Sequence, residues 1–395
     1  MKPHIYIICI GILGYLFSGA LVSKYYHDTI KDLGAQSTPE ASINFSKDHR
    51  NPKIRALYIK KNELFNGMRQ FCPRSHEGKT VFRLTIPFIM KLFNFTILKL
   101  YYIQIILGFL ICILLSYISF DITRNYFSTA LFTVGAACTY FVQASFKDGY
   151  IWGDTFAYFF ILTSICFRKK PMLLILSLIA LFFCDERGIL VIPVIWVCIK
   201  ILDGKIKDAT TWQNLLSFKD NSIYLYIAVT ISICLRLFIS FRYGLYLPEN
   251  GQVGLLSVAF PHWRDLQRGL FSGLESFWGI IFLTIVQCVM DKKFIFGIGL
   301  FAITCALSLT ACMVQDITRS ITYLLPFCFI SLWYFKDKIP TLKKILIIVC
   351  SINLFYPSTI IILGYPDWVS DPYLFGIILK GVGHLSRILQ TCSFR

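Results

Sequence analysis

Apolar runs close to the length of a membrane span recur along this chain, separated by short polar segments. Ile5–Val22, Tyr101–Phe120, Phe127–Ala144, Ile151–Phe167, Ile223–Phe241, Phe294–Val314, Ser320–Phe335 and Ile345–Gly364 each approach the ~20 apolar residues that a spanning helix requires. They do not alternate between apolar and polar positions, as the strands of a membrane barrel would. Met172–Leu202 is one long apolar stretch interrupted by Asp185-Glu186-Arg187-Gly188. Three adjacent ionisable groups are costly at the bilayer centre, so the stretch reads as a helical hairpin with Asp185–Gly188 at its tip. Its arms, Met172–Cys184 and Ile189–Leu202, are short for full spans, as is Phe277–Met290. The pattern predicts an all-α, polytopic transmembrane helical bundle of about eleven spans.

Charge placement orients the bundle, because cytoplasmic loops accumulate Lys and Arg. Arg168-Lys169-Lys170, Lys200/Lys205/Lys207, Lys292-Lys293 and Lys336/Lys338/Lys343/Lys344 fall on alternate connections, which are therefore inside. Ser145–Tyr150, Asp185–Gly188, Arg242–Ser276 and Gln315–Arg319 are then outside. The first loop, Ser23–Thr80, carries eleven Lys/Arg against six Asp/Glu and lies near the length where the rule weakens. Its side depends on Val81–Leu100, an apolar segment with Arg83, Pro87, Lys91 and Lys99. A span would bury Lys91 near its middle, so the segment reads as a helix at the outer interface, with the N-terminus cytoplasmic. The chain divides into a first transmembrane helix over 1–22, which also reads as an uncleaved signal anchor, an extracytoplasmic loop and interfacial segment over 23–100, a bundle over 101–364, and an extracytoplasmic tail over 365–395.

Composition agrees with a membrane chain. Hydrophobic residues make up 56% of it, including 36 Phe, and mean hydropathy is +0.63. The net charge of +17 is explained by cytoplasmic flanks and anionic headgroups rather than by nucleic acid. Most of the fourteen cysteines lie in or beside apolar runs, where Cys behaves as a small hydrophobe. Cys72 and Cys392 fall in outer polar regions, where an oxidising compartment would permit a disulfide. No metal-binding spacing is present, and nothing in the spacing supports a divalent metal or other cofactor.

The candidate chemistry sits on the outer face. His27-Asp28 and Asp32 follow the first span, and a carboxylate just outside a membrane helix can take a proton from a hydroxyl nucleophile. Arg83 is at headgroup depth, where a guanidinium holds phosphate by paired hydrogen bonds. Asp154 opens a span beside Lys147 and Asp148, and an intramembrane carboxylate is a functional candidate that needs a partner such as Lys147, Arg187 or Arg319. Asp185-Glu186-Arg187 and Asp316-x-x-Arg319 sit at hairpin tips. Arg236, inside Ile223–Phe241, either snorkels to the outer interface or contacts phosphate.

These features together resemble the GT-C class of polytopic glycosyltransferases, which use polyprenyl-phosphate-linked sugars. The matching residues are His27-Asp28 at the first-span exit, Arg83-x-x-x-Pro87, Asp154, the tip Asp185–Arg187, and Asp316-x-x-Arg319 followed by Pro326. The resemblance implies transfer of a hexose or pentose from a polyprenyl phosphate to a lipid-linked or cell-surface glycan acceptor, in a bacterial inner membrane or the endoplasmic reticulum. It implies Asp28 as general base, with Asp32 or Asp154 as substitutes. Arg83, Arg187, Arg319 and Arg236 would bind the donor phosphate, supported by His27, Lys147, Asp148, Asp185, Glu186 and Asp316. A surface-polysaccharide polymerase needs the same outer arginines. A lipid-linked saccharide transporter would instead show paired broken helices and polar groups near midplane.

Overall fold

The computed structural model describes residues 3–22, 29–31, 33, 57, 60–62, 82–149, 151, 153–206, 221, 223–244, 263–312, 316–355, 359–362 and 365–368. Helices account for nearly all of the regular structure in these residues. Helix α1 is Pro3–Leu21, α2 Thr85–Leu92, α3 Ile97–Thr123, α4 Tyr126–Ala137, α5 Tyr140–Lys147, α6 Asp154–Cys166 and α7 Pro171–Cys184. A 3-10 turn, Glu186–Val191, leads into α8, Ile192–Leu202. Then follow α9 Ile223–Tyr243, α10 Trp263–Leu274, α11 Phe277–Met290, α12 Phe294–Cys312, α13 Ile317–Ile321, the 3-10 turn Thr322–Leu324, α14 Phe327–Phe335 and α15 Ile339–Phe355.

Among the described residues four helices (α1, α3, α9 and α12) are long and apolar enough to cross a membrane. Two bent pairs raise the number to six: α4 with α5, bent by 47°, and Leu266–Leu274 of α10 with α11, bent by 86°. Helices α6 and α7, with 13 and 14 residues, are apolar but shorter. Expected single spans thus become bent pairs or short helices. The expected arms are present as α7 and α8, joined through the 3-10 turn and each with proline in its first turn, where the missing N–H is harmless, but both pack on α6 rather than on one another as a hairpin would. The expected interfacial segment divides. Helix α2 has 8 residues, about 12 Å of rise, far less than the ~30 Å hydrocarbon core. Asn94 in the left-handed region ends it, and Thr96 caps α3 by accepting from the Lys99 N–H, so Ile97–Leu100 belong to the next helix. Lys91 is exposed. The apolar run expected to reach Gly364 as a helix stops at Phe355 and is followed by a strand, Thr359–Ile362 (β1), paired antiparallel with Tyr365–Trp368 (β2). Ile360–Ile362 are β-branched in sequence, which favours the extended backbone.

Helix α3 is central and packs against α1, α4, α5, α6 and α14. Phe132 meets Phe277 and Phe329 at ring separations of 5.4 and 5.5 Å, and Phe141 stacks on Tyr158 at 4.5 Å. Small residues set two approaches that position the polar end of the bundle. Gly153 has φ +97° and precedes α6, so it presents Asp154 from a backbone that a side chain would strain. Gly273 of α10 lies against α13: a Cβ there would stand 1.9 Å from Ile321 Cγ2 and 2.7 Å from Thr318 O. Gly273→Ala is therefore expected to lower stability by about 1–3 kcal/mol through overpacking. Melting of the purified protein in neutral detergent checks this, and an unchanged midpoint would refute the close approach.

A buried arginine–carboxylate network as candidate functional site

Clusters from four separate parts of the chain meet at one end of the bundle. Asp154, at the first position of α6, is fully buried, as is Arg319 of α13. Arg319 donates through Nε to Asp154 Oδ2 and through Nη2 to Asp154 Oδ1 at 2.8 Å, a bidentate pairing across 165 residues of sequence. The Tyr140 hydroxyl donates to Asp154 Oδ2 at 2.8 Å. Arg319 Nη1 donates to Asp316 Oδ2 at 2.8 Å, and Tyr158 donates to the Arg319 carbonyl at 3.2 Å.

The turn between α7 and α8 supplies the next link. Asp185, also fully buried, ends α7 in extended backbone and accepts the Arg187 N–H at 3.0 Å, so the tip is folded inward. The Arg187 guanidinium turns back onto Asp185, with Nε 2.9 and 3.0 Å from its two oxygens and Nη2 donating to Oδ2. Its Nη1 donates to Ser320 Oγ at 2.7 Å and its Nη2 is 3.7 Å from Asp154 Oδ1. The Tyr323 ring lies beneath it, 5.6 Å from Cζ. Arg83, just before α2, closes the chain: Nη2 donates to Glu186 Oε1 at 2.6 Å, Nε to Oε2 at 3.1 Å, and Nη2 lies 3.7 Å from Asp185 Oδ1. Thr85 anchors this segment to α7 through the Ala180 carbonyl at 2.8 Å.

Among these residues three guanidiniums face four carboxylates, so the network bears no positive excess. Exposure rises along it from the Asp154–Arg319 end, at 0% and 2%, to Arg83 and Glu186 at 21% and 42%. The inner part is a latch and the outer part reaches the surface. Burial alone would raise the Asp185 carboxyl, but Arg187 and Arg83 hold it well below the ordinary carboxylate range. Burial likewise opposes Glu186 ionisation, and the Arg83 charge and hydrogen bond outweigh it, lowering that carboxyl too. Both groups bind fewer protons folded than unfolded between their depressed folded values and the ordinary value near ~4. Their contribution is complete above about pH 4 and is lost as pH falls below it. Melting temperature is expected to be flat above about pH 5 and to fall below pH 4, with a shallower fall in Asp185→Asn. An identical acid limb in that variant would remove Asp185 from this account.

The remaining candidates are placed as follows. His27, Asp28 and Asp32 lie outside the described residues, as do Cys72 and Cys392. Lys147 donates to Gln143 Oε1 at 2.7 Å, and Asp148 accepts the Gly153 N–H at 3.2 Å, shaping the turn that leads to Asp154. Arg236 of α9 donates to the Phe182 carbonyl and lies between the Phe82 and Phe183 rings. Asp154 has both oxygens engaged by Arg319, so in this arrangement it is a counter-ion rather than a free base. The hydroxyls of Tyr140, Tyr158 and Ser320 and the ring of Tyr323 were not expected at the site. They sit in or beside apolar runs, where nothing local distinguishes them from packing residues. Among the described residues no group of three or more His, Cys, Asp or Glu is arranged to hold a metal ion. The chain matches no family model, no curated protein and no solved structure.

Proposed function

We propose that this chain is an integral membrane glycosyltransferase-like protein that moves a sugar from a polyprenyl-phosphate donor to a lipid-linked or cell-surface glycan acceptor at the extracytoplasmic face. The observation that supports it is the convergence of Arg83, Arg187 and Arg319 with four carboxylates at one end of an apolar helix bundle. In this reading the inner pairs hold the site's shape. Its outer edge receives the donor phosphate, where desolvated guanidiniums offset charge building on the departing group. Asp28, or Asp32, takes the acceptor proton. The N-terminus is cytoplasmic, and the shorter helices complete about eleven crossings by tilt, pairing and local thinning.

The test is incubation of purified protein with labelled polyprenyl-phosphate hexoses and pentoses, with and without a membrane glycan extract. Donor-dependent labelling of the extract, or slow release of free sugar from one donor, is the expected result. Inertness toward every donor would overturn the reading. The two bent helix pairs favour a second one, a transporter for lipid-linked saccharide. It predicts that labelled lipid-linked sugar equilibrates across reconstituted vesicles with its phosphate–sugar bond intact.

A further inference from the structure

Arg236 is the guanidinium near this site that the network does not use. It belongs to α9, one of the helices long and apolar enough to span a membrane, yet it forms no ion pair with a carboxylate among the described residues. Its Nη2 donates to the Phe182 carbonyl, and its Nε is buried with no hydrogen-bond partner. The Phe82 and Phe183 rings hold Cζ between them at 5.7 and 5.6 Å. It lies within electrostatic reach of Glu186, Asp185 and Arg83. A guanidinium at membrane depth is costly without an anion, and the two rings offset only part of that cost.

Its surroundings narrow the anion to one class. Leu237, Phe238 and Phe241, beside it on α9, are 64%, 61% and 93% exposed, which provides an apolar face for a chain. Arg83, a cation within its electrostatic reach, is occupied by Glu186, the most exposed carboxylate of the network at 42%. If Glu186 turns to water, Arg83 keeps only Asp185 at 3.7 Å, itself paired with Arg187. Arg83 and the unfilled Nε of Arg236 then offer two cationic donors to the ~1.5–2 negative charges and three oxygens of a phosphomonoester.

We propose that Arg236 and Arg83 form a binding site for a lipid phosphomonoester, with Glu186 as a displaceable counter-ion that vacates Arg83 when the lipid arrives. This rests on the glycosyl-transfer reading for its biological meaning: a polyprenyl-phosphate donor is a diester, and the lipid left after transfer is a monoester. A site matched to the monoester favours the departing group over the intact donor, which is differential binding in the productive direction.

The test is thermal-shift titration of the purified full chain in neutral detergent with dodecyl phosphate, inorganic phosphate and phosphatidylglycerol. Wild type is expected to saturate with dodecyl phosphate at concentrations at least about tenfold below those needed for the other two. Arg236→Gln should weaken dodecyl phosphate binding about tenfold or more, and Glu186→Gln should tighten it several-fold because the competing carboxylate is gone. The gain in Glu186→Gln is a result that misfolding does not mimic. Unchanged affinity in Arg236→Gln, or weaker binding in Glu186→Gln, overturns the proposal. Equal affinity for phosphatidylglycerol assigns the site to bilayer headgroups and overturns it as well. Binding without sugar transfer would sink the transferase reading and leave this site standing.

Discussion

Arg319→Met is expected to destabilise the protein by about 3–5 kcal/mol, the cost of leaving a buried charge without its partner. Arg319 engages both oxygens of Asp154, which has no access to water, so loss of the guanidinium leaves the carboxylate only the Tyr140 hydroxyl and Arg187 at 3.7 Å. Asp154→Leu should cost less, because Arg319 loses its bidentate partner but keeps Asp316 at 2.8 Å. The double variant should recover most of either loss, because two apolar side chains of comparable volume replace a pair whose desolvation was itself expensive. Asp316, 24% exposed, can turn to water in that variant, and Arg187 keeps Asp185. Recovery should stop short by about 1–3 kcal/mol, because the Tyr140 hydroxyl then lacks its acceptor, and adding Tyr140→Phe should close that gap. Denaturation of wild type, the two single variants and the double variant in one detergent gives the coupling energy. Additive single effects would show that the pair does not act as a unit.

Asp28→Asn is expected to lower sugar transfer by about 10²–10⁴-fold while leaving insertion and melting unchanged, as removal of a general base does. The geometry at the inner site raises the weight of this residue. Asp154, an alternative base in the sequence reading, is held by Arg319 and Tyr140, which leaves Asp28 and Asp32 as the bases of the proposed reaction. The measurement is the initial rate at saturating donor across pH. The variant should lose the acid limb that reports the base as well as the rate. Wild-type turnover in Asp28→Asn would transfer the role to Asp32, and turnover in the double variant would end the first-loop assignment. Labelling a single cysteine at Lys47 from outside intact cells is the companion control. A cytoplasmic first loop removes Asp28 from the extracytoplasmic site whatever the rates show.

Much of the architecture was legible because hydropathy is a local property. The break between α7 and α8 follows from one charged interruption in a long apolar run, and the cost of Lys91 in a span anticipates that α2 is short with Lys91 exposed. Helix bends were less legible. The run expected as Phe127–Ala144 breaks at Cys138-Thr139, and α10 and α11 meet at 86° around Glu275, where no proline marks the turn. Such bends answer to packing, here to contacts such as Ser276 with Asn353 and Val349 of α15, and those partners are 77 and 73 residues away.

The sequence by itself determined that the chain is built of apolar helices, several of membrane length, and that most of its ionisable groups cluster in short segments between them, because burying charge in lipid is costly. Which charge neutralises which was decided only in three dimensions. Arg319 answers Asp154 across 165 residues and Arg83 answers Glu186 across 103, and Coulomb attraction at 3 Å leaves no trace in spacing along the chain. The tertiary structure also divided the arginines. Three spend their donors on carboxylates, whereas Arg236 stands between two phenylalanine rings with a buried N–H unfilled, a difference that follows from which neighbours packing brought to each.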